Sequence, residues 1–125
     1  MGEAEGIAMT LDALRTYCLS FPGATEDIKW GSDLTFCVGA KMFAITSVGT
    51  AYPESLALKV TSDAFAEYTE RSGIIPSPYL ARYKWISIKE FESVTDKELK
   101  ELIRMSYELV YEKLPSKLKK GIIST

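Results

Sequence analysis

Histidine is absent from this chain of 125 residues. Its absence removes the most common general base near neutral pH, the Ser-His-Asp and Cys-His catalytic sets, and most transition-metal sites. The sequence also lacks a phosphate-cradling glycine loop, a metal-spaced set of cysteines and a nucleophile elbow. We therefore predict a protein that is not an enzyme, with no cofactor and no metal site. The enzymatic alternative requires a buried carboxylate or lysine with a shifted pKa in a cleft.

Cysteines and long apolar runs are also scarce. The two cysteines, Cys18 and Cys37, lie far from each other in the chain, which favours reduced and packed thiols. No apolar run is long enough to cross a bilayer, and the acidic N-terminus lacks the pattern of a signal peptide. The sequence therefore predicts a cytoplasmic protein with no membrane partner.

An excess of basic residues is missing as well. Lysine and arginine total 15 against 17 aspartates and glutamates, for a net charge of −2. This balance argues against strong electrostatic binding to DNA, although it allows a local basic patch. The 46% hydrophobic content and the chain length predict one globular domain over residues 1–125, in which residues 1–9 form a polar lead-in that need not be ordered.

Three helices are predicted from apolar periodicity and capping residues. The first begins at the cap Thr10 and ends near Ser20, before a proline and a glycine. The second runs from the cap Ser62 to Arg71. The third opens with a capping box, Thr95 to Glu98, and its apolar stripe ends before Pro115. On this third helix Tyr107 is predicted on the outer side, beside an ion pair between Arg104 and Glu108.

Five strands separated by short turns predict an antiparallel sheet. They are Thr25–Trp30, Leu34–Val38, Lys41–Thr46, Leu56–Val60 and Lys84–Ile88. The fold class is therefore α+β, with a sheet of about five strands backed by helices in the order α-β-β-β-β-α-β-α. The segment with Pro76 and Pro78 is predicted to be irregular, and the lysines after Pro115 to form a basic tail.

Alternation along the strands predicts one face covered by helices and one open face. The residues predicted to face the helices are Ile28, Trp30, Leu34, Phe36, Val38, Phe43, Ile45, Leu56, Leu58, Val60, Ile86 and Ile88. The residues predicted on the open face are Lys29, Thr35, Cys37, Met42, Ala44, Ala57, Lys59, Tyr83, Trp85 and Ser87.

Aromatic and basic side chains on and beside the open face are the candidate site. Tyr83 and Trp85, with Lys29 and Lys59, would form a surface for stacking and cation binding. The alternative is that these aromatics pack beneath a loop. Arginine and lysine at positions 82, 84 and 41 suit phosphate or carboxylate oxygens. The alternative is that they pair with acidic residues of the first hairpin, positions 26, 27 and 33.

The sequence motifs of this chain resemble those of the MmcQ/YjbR-like family of small bacterial proteins. The resemblance runs from about Met9 to Leu118. It is carried by Leu14-Arg15-Thr16-Tyr17-Cys18-Leu19-Ser20-Phe21-Pro22-Gly23-Ala24-Thr25-Glu26-Asp27, Trp30-Gly31, Lys41-Met42-Phe43-Ala44, Leu58-Lys59, Tyr79-Leu80-Ala81-Arg82-Tyr83-Lys84-Trp85 and Ile103-Arg104-Met105-Ser106-Tyr107-Glu108-Leu109-Val110.

The resemblance implies a fold similar to bacterial frataxin (CyaY-like) and a DNA-binding role, in which hairpin loops meet the duplex. It implies no catalytic residues. The basic positions that match this role are Lys41, Lys59, Arg82 and Lys84. The alternative is a protein- or small-ligand-binding domain that uses the open face around Trp85 and Trp30. Iron binding of the frataxin type is disfavoured, because the first helix offers only Asp12 as a carboxylate.

Overall fold

Turns separate one helix, four consecutive strands, a second helix, two further strands and two final helices along the described part of the chain. The structure is a computed structural model that describes residues 9–49 and 51–123, so most of the predicted lead-in over residues 1–9 lies outside the described residues. The described helices are α1 Leu11–Leu19, α2 Ser62–Tyr68, α3 Asp96–Glu112 and α4 Ser116–Ile123, with short 3₁₀ helices at Ala81–Tyr83 and Phe91–Ser93. The described strands are β1 Ala24–Lys29, β2 Asp33–Val38, β3 Lys41–Ser47, β4 Leu56–Lys59, β5 Ile74–Pro76 and β6 Trp85–Ile88.

The strands form one antiparallel sheet in the order β1-β2-β3-β4-β6-β5. The α+β class and the antiparallel sheet are therefore confirmed, with one strand more than predicted. The additional strand, β5, falls in the segment predicted to be irregular. It lies at the sheet edge, where Pro76 need not donate a ladder hydrogen bond.

Two helices also differ from their prediction. The cap of α2 is Thr61, whose hydroxyl accepts from the Ala64 N–H, and the helix ends three residues before Arg71. The predicted basic tail folds into α4, which packs Ile122 against Gly23 at the start of β1. Helix α1 begins after the predicted cap Thr10.

Helices α1 and α3 cover one face of the sheet, where the core lies. The buried Leu14 of α1 and Leu102 and Ile103 of α3 pack with strand residues such as Phe36 and Leu58. Both cysteines are free and buried, and burial raises the pKa of Cys18 to about 12. Each such buried aliphatic side chain contributes on the order of 1.5–3 kcal/mol, so this face supplies most of the hydrophobic stabilisation.

A β-bulge changes which side chains of β3 face the helices. Phe36 pairs with Ala44, and the next residue of β2 pairs with Met42, so Phe43 is left over. The bulge keeps Phe43 on the helix side and adds Ala44 there, directly opposite Leu58. Ile45 then pairs with Ala57 on the other face. The predicted sides of Ile45 and Ala44 are therefore wrong, because the bulge resets the alternation.

The predicted burial is also wrong for Ile28, Trp30 and Tyr107. Ile28 and Trp30, predicted to face the helices, are 54% and 69% exposed. Ile28 lies near the end of β1, an edge strand, and Trp30 follows β1 in the turn to β2 with φ of 54°. Tyr107, predicted on the outer side of α3, is buried: its ring stacks on Phe21 at 4.8 Å and its hydroxyl donates to the Pro22 carbonyl at 2.6 Å.

The predicted capping box of α3 is present and is bound by Arg71, which follows α2. The Thr95 hydroxyl accepts from the Glu98 N–H at 3.0 Å, and the Glu98 carboxylate accepts from the Thr95 N–H at 3.0 Å. The Arg71 guanidinium donates to both carboxylate oxygens of Glu98, at 3.0 and 2.9 Å. These bonds, led by those from Arg71, lower the pKa of Glu98 to about 2. The ionised carboxylate therefore stabilises the fold.

We expect this site to make the protein sensitive to acid. The pKa of Glu98 is about 2 in the folded chain against 4.5 for the free side chain, so its contribution is complete above pH 4.5 and is lost as the pH falls towards 2. Replacing Glu98 by glutamine should lower the free energy of unfolding at pH 7 by about 1 kcal/mol, since the pair is partly exposed. Urea unfolding at pH 7, 4 and 3 measures this, with Glu92→Gln as the control, since Glu92 is exposed and joins no ion pair within residues 9–49 and 51–123. A Glu98→Gln variant that loses stability between pH 4 and 3 as steeply as the parent would contradict the assignment.

Candidate site: a lysine-lined cavity between β3, β4 and α3

Strands β3 and β4 separate beyond the bulge. Their pairing ends at Ala44 and Leu58, while β4 continues to pair with β6 as far as Lys59 and Trp85. Ser106 of α3 fills the separation: its hydroxyl donates to the Phe43 carbonyl at 2.5 Å and accepts from the Lys59 N–H at 2.9 Å. Two backbone groups that lack a strand partner are thereby satisfied.

A cavity of about 570 Å³ lies next to this separation. It is lined by Lys41, Met42, Lys59, Leu80, Tyr83, Trp85, Leu109, Val110, Lys113 and Leu114. The strands supply one wall, the end of α3 supplies another, and the segment before β6 supplies the third. Its volume is in the usual range for sites that bind small molecules.

Four of the predicted site residues converge on this cavity. Lys41 lies at the start of β3, Lys59 at the end of β4, Tyr83 on the first 3₁₀ helix and Trp85 at the start of β6. Trp85 is only 6% exposed, so the surface around it is not open as predicted. Leu80 and Tyr83, from the segment before β6, line the cavity beside it, so Trp85 forms part of a cavity wall rather than of an open stacking surface.

The segment before β6 is held in place by backbone hydrogen bonds. The Ser77 N–H donates to the Trp85 carbonyl at 2.9 Å, and the Tyr83 N–H donates to the Leu80 carbonyl at 3.0 Å. The hydroxyl of Ser87, on the same strand as Trp85, donates to the Ser77 hydroxyl at 3.0 Å. Tyr83 therefore belongs to a turn above the sheet rather than to a strand, and it is 54% exposed at the mouth of the cavity.

The other predicted residues lie elsewhere. The Arg82 guanidinium is 5.4 Å from the ring centre of Tyr83, and the Lys84 ammonium is 5.1 Å from the ring centre of Phe65 on α2. Neither Arg82 nor Lys84 lines the cavity. Lys29 and Trp30 lie at the far end of β1, at the opposite edge of the sheet from β5. The predicted surface is thus divided into three places.

Lys113 is the residue that sequence reasoning missed. It follows the last residue of α3, four positions after Leu109 and three after Val110, so helical spacing places all three on the same side. That spacing was the available signal. It could not indicate that this end of α3 lies beside Lys41 and Lys59, which come from distant parts of the chain.

The cavity is positively charged around an apolar wall. None of the ion pairs among the described residues involves Lys41, Lys59 or Lys113, and the lining contains no carboxylate. The Lys59 ammonium donates to the Tyr83 carbonyl at 2.7 Å. Burial, followed by the positive charge of Lys113, lowers the pKa of Lys59. An anion that entered here would relieve repulsion between like charges.

Comparison with known proteins identifies the family. The YjbR family model matches residues 19–109, which is more than half of the chain. The chain belongs to the YjbR family. This confirms the family predicted from the sequence. The YjbR span contains Lys41, Lys59 and Trp85 but ends before Lys113, so one of the three cavity lysines lies outside the part that the family model describes.

Two solved structures resemble this YjbR protein. The Deinococcus radiodurans protein DR2400, which carries the domain DUF419, is 28% identical with a TM-score of 0.80, and the match covers 90% of this chain and 87% of that one. A Pseudomonas syringae protein is 18% identical with a TM-score of 0.65, covering 82% of this chain and 99% of that one, and shows the shared fold. A search of curated proteins found no match. Among the described residues, no helix is long and apolar enough to cross a membrane.

Proposed function

We propose that this YjbR-family protein binds a small organic anion in the cavity between β3, β4 and α3, without catalysing its conversion. Lys41 and Lys113 hold the anionic group at the mouth, and Trp85 contacts the apolar body. The observation that carries the proposal is that three lysines meet at one mostly apolar cavity without a carboxylate partner among the described residues.

The electrostatics of the cavity support this choice of ligand. Positive groups gathered beside apolar atoms are costly unless an opposite charge compensates them. No side chain of the lining supplies that charge, so a carboxylate, phosphate or sulfonate on the ligand is the natural counter-ion. Met42 and Leu80 add apolar contact area on either side of Trp85. The ligand therefore combines one anionic group with an apolar, preferably aromatic, body.

The composition of the lining supports binding rather than turnover. The chain contains no histidine, and no carboxylate lines the cavity. Proton transfer would therefore depend on lysine or tyrosine alone, namely Lys41, Lys59, Lys113 and Tyr83. A bound anion needs none of these groups to change its protonation state.

Binding to DNA is the second candidate function. Arg82 and Lys84 are exposed on either side of Tyr83 in the sequence, and neither forms an ion pair with a carboxylate of the described residues. Such side chains contact phosphates and make binding sensitive to salt. DNA binding is the weaker candidate for two reasons. The Arg82 and Lys84 side chains lie near different rings, those of Tyr83 and Phe65, and the net charge of the chain is −2.

Trp85 offers a direct test of the first candidate. In a Trp30→Phe background Trp85 is the one remaining tryptophan, so its fluorescence reports on the cavity. We expect 2-naphthyl phosphate to quench it and the uncharged 2-naphthol to quench it far less. Replacing Lys41 and Lys113 together by alanine should weaken binding about tenfold, or about 1.4 kcal/mol. The exposed lysines Lys89 and Lys97, changed together to alanine, are the control and should leave binding unchanged.

A labelled DNA duplex added to the same proteins at low salt separates the two candidates. The first is overturned if 2-naphthyl phosphate fails to quench Trp85, or if it does so equally in the Lys41→Ala/Lys113→Ala variant. The second is supported if the duplex binds and Arg82→Ala/Lys84→Ala weakens that binding more than Lys89→Ala/Lys97→Ala does. If the duplex does not bind at low salt, DNA binding is excluded as the function.

A further inference from the structure

Lys59 differs from the other two lysines of the cavity in its surroundings. It is partly buried at the end of β4, whereas Lys41 and Lys113 are exposed. Its side chain is fixed by one hydrogen bond, in which Nζ donates to the Tyr83 carbonyl at 2.7 Å. Its backbone is fixed as well, because its N–H donates to Ser106 at 2.9 Å. The amine is therefore held in a defined position inside the cavity.

Partial burial and a neighbouring positive charge favour the uncharged form of Lys59. The titratable groups that line the cavity beside it are Lys41 on β3, Tyr83 on the first 3₁₀ helix and Lys113 at the end of α3. None of these side chains is a carboxylate that would stabilise an ammonium ion. Burial and the charge of Lys113 lower the pKa of Lys59, so a larger fraction of neutral amine is present near neutral pH than for an exposed lysine.

We infer that Lys59 is a nucleophilic amine that captures an aldehyde bearing an anionic group as an imine within the cavity. Proteins activate a lysine amine by removing it from water or by placing it beside a second cation, and Lys59 is partly buried with Lys113 in the same cavity. The choice of an anionic aldehyde rests on the proposed function, since Lys41 and Lys113 would hold the charged group while the aldehyde carbon meets Nζ. The capture is reversible binding and involves no turnover.

The chemistry balances without an added reactant. The nitrogen lone pair of Lys59 attacks the carbonyl carbon, a proton passes from nitrogen to the carbonyl oxygen, and a carbinolamine forms. Loss of water from the carbinolamine then gives the C=N bond. One water is released for each imine formed, and hydrolysis reverses the reaction. No electron is transferred to or from the protein.

Reductive trapping tests the inference on the full chain. The protein is incubated with pyridoxal 5′-phosphate at pH 7, reduced with sodium borohydride and digested, and each labelled lysine is quantified by mass spectrometry. Borohydride delivers a hydride to the imine carbon and makes the adduct permanent. We expect Lys59 to be labelled faster than the exposed Lys89 and Lys97, because the cavity holds the phosphate beside its amine and because burial and the charge of Lys113 lower its pKa. Labelling of Lys59 no faster than these two would overturn the inference.

Two variants test the role of Lys59 more directly. Lys59→Arg keeps a donor for the Tyr83 carbonyl but removes the nucleophile, so labelling at this position should vanish while Lys89 and Lys97 react as before. Lys113→Ala should slow labelling of Lys59 at pH 7, because the neighbouring positive charge is removed, and should shift its pH midpoint upwards. An unchanged pH profile in Lys113→Ala would count against the inference.

The outcomes also separate this inference from the proposed function. Quenching of Trp85 by 2-naphthyl phosphate needs no imine, so quenching without selective labelling supports the proposed function and overturns the role of Lys59. Pyridoxal, which lacks the phosphate, gives the converse case. If it labels Lys59 as selectively as pyridoxal 5′-phosphate does, the nucleophile is supported and the anion site is not.

Discussion

Replacing Ser106 by alanine is expected to lower the free energy of unfolding by about 2–4 kcal/mol. The Ser106 hydroxyl is fully buried and makes two hydrogen bonds, one to the Phe43 carbonyl and one from the Lys59 N–H. Alanine would leave both backbone groups unsatisfied at the place where β3 and β4 separate. Each unsatisfied buried group costs about 1–3 kcal/mol. Urea or thermal unfolding followed by circular dichroism measures the loss.

Ser62→Ala is the matched control for this prediction. Ser62 is exposed in the first turn of α2, and no hydrogen bond of its hydroxyl is found among those described here. A surface substitution of this kind changes stability by about 0.5 kcal/mol or less. Equal losses for Ser106→Ala and Ser62→Ala would show that the serine of α3 does not join the two strands.

Replacing Gly73 by alanine is expected to cost a similar amount, about 2–4 kcal/mol, from backbone strain and overpacking together. Gly73 has φ of +89°, and a Cβ there would lie 2.7 Å from the Cβ of Glu90 and closer still to the Ser93 hydroxyl oxygen. The backbone is not free to move away. The Gly73 carbonyl accepts from the N–H groups of Lys89 and Glu90, at 2.7 and 3.2 Å.

Gly31 provides the comparison that isolates the steric part. Its φ is +86°, close to that of Gly73, but a Cβ there would have no atom within 4 Å. Gly31→Ala should therefore lower the free energy of unfolding only by the cost of the backbone strain, about 1–2 kcal/mol. If the two variants unfold at the same denaturant concentration, close packing around Gly73 contributes nothing, and the prediction fails.

Features controlled by neighbouring residues could be predicted from the sequence. The capping box from Thr95 to Glu98, the end of α1 before Pro22 and Gly23, and the start of β3 at Lys41 each depend on a few residues close together in the chain. Their hydrogen bonds and dihedral angles are local, so the residue types are sufficient. The antiparallel sheet followed from the short turns.

Features that depend on distant partners could not be predicted. The bulge beside Phe36 depends on how β2 and β3 pair, and it reversed the predicted faces of Ala44 and Ile45. The strand β5 exists because its residues pair with β6 at a sheet edge. The local pattern of apolar residues does not indicate either pairing. The predicted faces and the predicted number of strands therefore differ from the structure.

The candidate site shows the same division between local and distant causes. Residue types alone indicated that lysines and aromatic side chains near Trp85 are the groups able to hold an anion, because each carries that chemistry wherever it lies. The convergence of Lys41, Lys59 and Lys113 follows from the separation of β3 and β4 and from the helix packed against them. Arg82 and Lys84 lie outside the cavity, near the rings of Tyr83 and Phe65, because of the way in which the segment before β6 folds. Chemistry belongs to the individual side chain, whereas a cavity exists only once separate segments of the chain have packed together.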